Sequence, residues 1–186
     1  RRNYLPDDYR LDADGLNVVA TVHVEAECRQ DDQVGETRWV SEIAARDGMP
    51  NAIVAHAWFH TPNAEAILAE QAAFPLVRGI RSKPVTSFRP AESVAGEPGA
   101  MDDPTWRAGL KLLAKYDLSW DLRVPPWHLD EAAEAVDLIP GPAVALNHTG
   151  FPWYRHNPGL HALPPGMPPL PARPTVICYL PSPPPP

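Results

Sequence analysis

Five β-branched or apolar runs, at residues 18–27, 52–59, 76–84, 118–124 and 143–148, alternate with four segments of helical spacing. This alternation constrains the fold more than any other feature. A strand followed by a helix returns the chain to the same end of the sheet, so successive strands run parallel. The helices carry local punctuation. Gly48 closes VGETRWVSEIAARD, and Thr61-Pro62-Asn63 opens AEAILAEQAAF. Asp103-Pro104 opens TWRAGLKLLAKYD, with proline in the first turn, where its missing N–H is not needed. Pro125-Pro126-Trp127 leads into HLDEAAEAVDLI. TVICYL at 175–180 reads as a sixth strand. Residues 1–17 read as polar and turn-rich, and 85–102 as a long irregular loop, a length that favours a functional or mobile role.

Alternate residues of a strand face opposite sides. This rule groups His23, Glu25 and Glu27 on one face of the first strand. His56 falls with Val54 and Trp58 in the second, and Gly79, Arg81 and Lys83 fall together in the third. Ser119, Asp121 and Arg123 share a face of the fourth, and His148 follows Val144 and Leu146 in the fifth. Ionisable side chains therefore gather toward the C-terminal ends of the strands. Buried charges must be paired or bind a metal. Both parallel architectures place ligands at that end. An open doubly wound sheet usually carries a Gly-rich phosphate loop after its first strand. Here that junction reads ECRQDDQVG, so a (β/α)₈ TIM-type barrel is favoured. A full barrel takes ~250 residues. The 186 residues present are expected to hold only part of one.

Composition narrows the function. A formal charge of −7 with no Lys/Arg stripe argues against nucleic acid. No apolar run approaches the ~18 residues of a membrane span, and RRNYLPDDYRLDADG does not read as a signal peptide. Cys28 and Cys178 lack metal-motif spacing and read as free thiols of a cytoplasmic protein. Thirteen of the 25 prolines lie in residues 151–186, which disfavours an ordinary helix between the last two strands. The expected organisation is a barrel core over 1–155 and a Pro-rich segment over 156–186.

His148 is the sharpest candidate for chemistry. Imidazole is both a common metal ligand and a base near neutral pH, and Thr149-Gly150 lets the backbone turn away behind it. A buried histidine bonded to a carbonyl is the plainer alternative. Glu25 and Glu27 suit ligands, bases or ion-pair partners of Arg81 and Arg123. Arg81 and Arg123 suit a substrate carboxylate or lactone carbonyl, because guanidinium presents a planar fork of donors. Asp121 suits a proton carrier or a structural acceptor. His56 and His23 read as core histidines, and His128 as a cap that could reach over the strand ends.

The runs RRNYLPDDYR, NVVATVHVEAE, GETRWV, FPLVRGIRSKP, GLKLLAKYDLSWDLRV, WHLDEAAEAV and ALNHTG resemble the amidohydrolase-related proteins, TIM-barrel metal-dependent hydrolases that include lactone hydrolases. The resemblance covers residues 1 to about 155. It implies strands two to six of the family barrel, hydrolysis of a lactone or related ester by activated water, and a divalent cofactor, Zn or Mn. The catalytic candidates are His148, Asp121 and Glu25; by the resemblance His148 is also the metal ligand and Asp121 stands at the fifth-strand tip. Arg81, Lys83, Arg123, His56 and His128 are the substrate-binding candidates. The implied partner is a small-molecule lactone or carboxylate, with no nucleic acid and no membrane, and with a homo-oligomer left open. The family's first-strand His-x-His motif and final-strand Asp have no counterpart in this sequence. A truncated or non-catalytic homologue that binds an acidic small molecule is the alternative.

Overall fold

A computed structural model describes residues 3–27, 29, 31–149 and 176–178. Six strands form one sheet: β1 (Val22–Val24), β2 (Ala52–His56), β3 (Val77–Arg81), β4 (Ser119–Leu122), β5 (Val144–Leu146) and β6 (Val176–Cys178). Their spatial order is β1-β2-β3-β4-β5-β6, and every pair is parallel. A doubly wound sheet reverses its strand order at a switch point. The unbroken sequential order is that of a (β/α)₈ barrel, of which these strands form an arc.

Four helices fill the crossovers from β1 to β5: α2 (Gly35–Asp47), α3 (Ala64–Ala72), α4 (Pro104–Lys115) and α5 (Leu129–Asp137). Their ends obey local chemistry. The Asp103 side chain accepts the Thr105 N–H at the start of α4, and Gly48 ends α2 at φ 73°, a conformation a Cβ would strain. The main core lies between sheet and helices. Trp106 of α4 stacks edge-on against Trp120 of β4 and Phe59, with centroids 5.5 and 5.7 Å away, and all three are buried. Gly109 lets α4 approach closely, because a Cβ there would stand 2.3 Å from the Phe59 carbonyl oxygen.

Two expectations change. The N-terminal segment, read as turns, contains a short helix, α1 (Pro6–Asp12), with Asp7 and Asp8 in its first turn. Asp8 reaches back to the Leu5 N–H at 3.0 Å, closing the helix start locally, but α1 buries none of its residues. The first strand, expected over 18–27, is only Val22–Val24, and Val18 and Val19 are exposed. Residues 150–175, with the proline-rich connection, lie outside the described residues. Among the described residues, no helix is long and apolar enough to cross a membrane.

Candidate active site at the strand tips

Register decides which side chains meet. Ile80 pairs with Trp120, and Trp120 with Val144, so these three point toward the helices. The next residue of each strand points the other way. That puts Arg81, Asp121 and Ala145 on the inner face, and Asn147 follows Ala145 on the same side.

Arg81 is the hub. One guanidinium nitrogen, Nη2, donates to Asn147 Oδ1 at 2.6 Å and lies 3.8 Å from Asp121 Oδ1. The other, Nη1, lies 3.7 Å from Glu25 Oε1. Asn147 turns its amide N–H groups to Asp121 Oδ1 and to the carbonyls of Leu122 and Ala145, both at 3.2 Å. Lys83 ion-pairs with Glu25 at 3.2 Å and bonds to Glu27. His56 Nδ1 lies 3.6 Å from Glu25 Oε2, and its ring meets Trp58 edge-on at 4.7 Å. Glu25, His56 and Asp121 are almost wholly buried.

The first strand departs from simple alternation. His23 bonds to Glu36 of α2 at 2.8 Å, on the helix side. Glu25, two residues on, lies among Arg81, Lys83 and His56 instead. β1 has ended by then, and Glu27 takes φ 48°. His148, at the tip of β5, also takes a positive φ, 52°. Left-handed backbone on non-glycine residues stores strain and clusters at functional sites.

Burial sets the electrostatics. It raises Asp121 to about 6, against the opposing pull of Arg81. It also raises Glu25, against Lys83 and Arg81. His56 is pushed down by burial, and His148 by burial and then by the positive charges of Arg81 and Arg123. Both imidazoles are therefore favoured neutral. Both ring nitrogens of His56, and Nε of Arg81, have no hydrogen-bond partner among the described residues. Each such buried group costs about 1–3 kcal/mol if left unmet.

The expected residues divide accordingly. The structure brings Glu25, His56, Arg81, Lys83 and Asp121 together. His148 and Arg123 flank them, close enough for the arginine's charge to act on the imidazole. His128 is elsewhere: it bonds to Ser87 and Glu131. Asn147 is a site residue that strand reading passed over in favour of His148. The signal was present, since 145 and 147 share the Asp121 face by alternation.

The ligand-type side chains do not fit a divalent metal. Among the described residues, no group of three or more His, Cys, Asp or Glu could hold one. Glu25 and Asp121 face Arg81 and Lys83 instead, so their charge is already balanced by cations.

No protein-family model matches the chain. The uncharacterized protein y4mH of Sinorhizobium fredii is 34% identical over 150 residues, covering 81% of this chain and 50% of that protein. An amidohydrolase from Burkholderia multivorans with bound zinc superposes with a TM-score of 0.72 at 22% identity, over 95% of this chain and 58% of that one. A second crystal form, with bound HEPES, gives 0.71 at 22% identity, with coverage of 95% and 59%. Amidohydrolase 2 from Bifidobacterium longum subsp. infantis gives 0.58 at 17% identity, with coverage of 95% and 61%. The fold is thus the amidohydrolase-like TIM barrel, and the chain spans about half the length of the curated relative it matches.

Proposed function

We propose that the chain carries the substrate-holding and proton-transfer part of a hydrolase of the amidohydrolase superfamily, acting on a lactone or related cyclic ester. One observation carries this reading. Arg81, Asp121 and Asn147 converge on the inner face at the C-terminal strand tips, which is where barrel enzymes do their chemistry.

Each group has a role its geometry supports. Asp121, raised to about 6, is ionised at neutral pH yet basic enough to take a proton from water. That water adds to the lactone carbonyl carbon. Arg81, the partly exposed cation of the cluster, stabilises the carbonyl oxygen as charge develops there. Collapse breaks the ring C–O bond, and the leaving alkoxide takes the proton back from Asp121. Asn147 keeps Asp121 and Arg81 in register. Glu25 and Lys83 hold the charge of the Arg81 end in balance, and neutral His56 presents a donor and an acceptor to the ligand. Arg123 and His148 border the same space and suit a substrate carboxylate. No step here runs through a metal.

The test is a panel of sugar lactones and muconolactone-type substrates with protein purified from its source. Asp121→Asn and Arg81→Met should each lower kcat by about 10²–10³, the range for loss of one proton carrier or one oxyanion donor. A wild-type protein inert toward the whole panel, with or without added Zn²⁺ or Mn²⁺, would sink the proposal. A non-catalytic binder of organic acids is the second reading. It is favoured by the ion pairs that already balance Glu25 and Asp121 with Arg81 and Lys83. It expects thermal stabilisation by dicarboxylates without turnover, lost in Arg81→Ala.

A further inference from the structure

Gln71 of α3 is wholly buried, and nothing in the proposed chemistry uses it. Its amide nitrogen Nε2 donates to the His56 carbonyl at 2.8 Å and to the Gln33 carbonyl at 2.9 Å. Its Oε1 has no hydrogen-bond partner among the described residues, so the amide is oriented by its donors. Gln33, half-buried just before α2, accepts the Trp58 backbone N–H through its side-chain Oε1 at 2.6 Å. Two glutamines thus meet at the tip of β2.

The end of the strand ladder accounts for them. β1 pairs with β2 from Val22 and Ala52 to Val24 and Val54, and the Glu25 N–H adds a bond to the Val54 carbonyl at 2.9 Å. The first chain then turns away, with Glu27 at φ 48°. The His56 carbonyl and the Trp58 N–H lie past this ladder, and buried backbone groups need partners. One glutamine presents two donors and the other an acceptor. Side chains thereby continue the joint between the first two strands.

The segment closed by this joint carries two carboxylates. It leaves the ladder at Glu25 and reaches the joint at Gln33, and both Glu25 and Glu27 meet Lys83. We infer that Gln33 and Gln71 form a clasp that positions Glu25 and Glu27 on Lys83, which makes them positioning residues of the candidate site. Gln33 anchors the far end of the segment. Gln71 fixes that anchor to the strand whose imidazole lies 3.6 Å from Glu25. The clasp's service to catalysis rests on the hydrolase reading; its geometry does not.

Amine acetylation of the full chain tests this, because the lysines are Lys83, Lys111 and Lys115. The last two are exposed on α4 and serve as internal standards, whereas Lys83 is mostly buried against its carboxylates. Brief treatment with acetic anhydride, read by peptide mass spectrometry, should modify Lys83 more slowly than Lys111 in the wild type. Gln33→Leu should speed Lys83 by about fivefold, the change in local opening that the net worth of one hydrogen bond gives, with Lys111 and Lys115 unchanged. Gln33→Glu, which keeps an acceptor for the Trp58 N–H, should label like wild type. Gln71→Met, which has no donors, should act like Gln33→Leu; if it does not fold, the Gln33 pair still decides. Equal Lys83 rates in wild type and Gln33→Leu would overturn the clasp. So would Gln33→Glu labelling as fast as Gln33→Leu, or a rise shared by all three lysines, which marks loosening of the whole fold. No substrate enters, so a protein inert toward lactones would leave this result standing.

Discussion

Asn147 accepts the Arg81 guanidinium N–H at 2.6 Å and, through the other end of the same amide, donates to Asp121. One neutral side chain thus spaces a buried cation from a buried carboxylate, and it satisfies two strand carbonyls as well. Asn147→Ala removes a hydrogen bond to each charged partner. Bonds of that kind are worth about 1.5–3 kcal/mol each. The variant should lose about 2–4 kcal/mol in urea unfolding, partly offset by entering water, with the Asp121 carboxyl rising further by ¹³C NMR titration. Unchanged stability and titration would show that the amide is incidental.

Asp121 should make the fold more stable in mild acid. Its folded value, about 6, lies above the ~3.9 of an unfolded aspartate. The folded chain therefore holds this proton more tightly than the unfolded chain does. That contribution is full below about pH 4 and is lost as pH rises through about 6, amounting to roughly 3 kcal/mol across the window. Asp121→Asn keeps the shape but not the titration. Relative to wild type it should gain stability above pH 6 and lose hydrolytic activity, a trade expected of a strained functional group. Denaturation midpoints from pH 4 to 8 would check the crossing; parallel curves for the two proteins would refute it.

Glu25 balances two cations at once, Lys83 and Arg81. Glu25→Gln leaves both facing an uncharged amide in a buried setting. Lys83 keeps Glu27, and Arg81 keeps Asn147 and Asp121, so the loss should fall well below the ~3–5 kcal/mol of a fully broken buried pair. The double variant Glu25→Gln, Lys83→Met should recover part of that loss. Full additivity of the two changes would argue against their coupling.

Gly109 should not tolerate a methyl group. Alanine normally gains about 1 kcal/mol over glycine in a helix. Here the added Cβ meets backbone and cannot be accommodated by a side-chain rotation, because the Phe59 carbonyl oxygen would stand 2.3 Å away. Gly109→Ala should destabilise the protein by about 1–3 kcal/mol, the usual cost of overpacking. Ala108→Gly, on the exposed side of α4, should cost only the propensity difference. Thermal melts of the two variants separate steric from helical effects.

What the sequence alone determined is everything carried by short-range rules. The β-α alternation specified parallel strands, and the missing Gly-rich turn pointed to a barrel. Asp103, Pro104 and Gly48 marked helix ends, because capping depends on neighbours within one turn. The strand tips were legible as the polar region, since ionisable residues in an apolar strand need a reason. The pairing of those residues was not legible. Glu25 and Lys83 are 58 positions apart, and Arg81 and Asn147 are 66 apart, so their contact depends on sheet register and on where each strand stops. Alternation failed in the first strand, where His23 turns to α2 and Glu25 to Arg81 and Lys83, because period two holds only while the strand lasts. Register decided that Asn147, on the face alternation gave it, meets both Arg81 and Asp121.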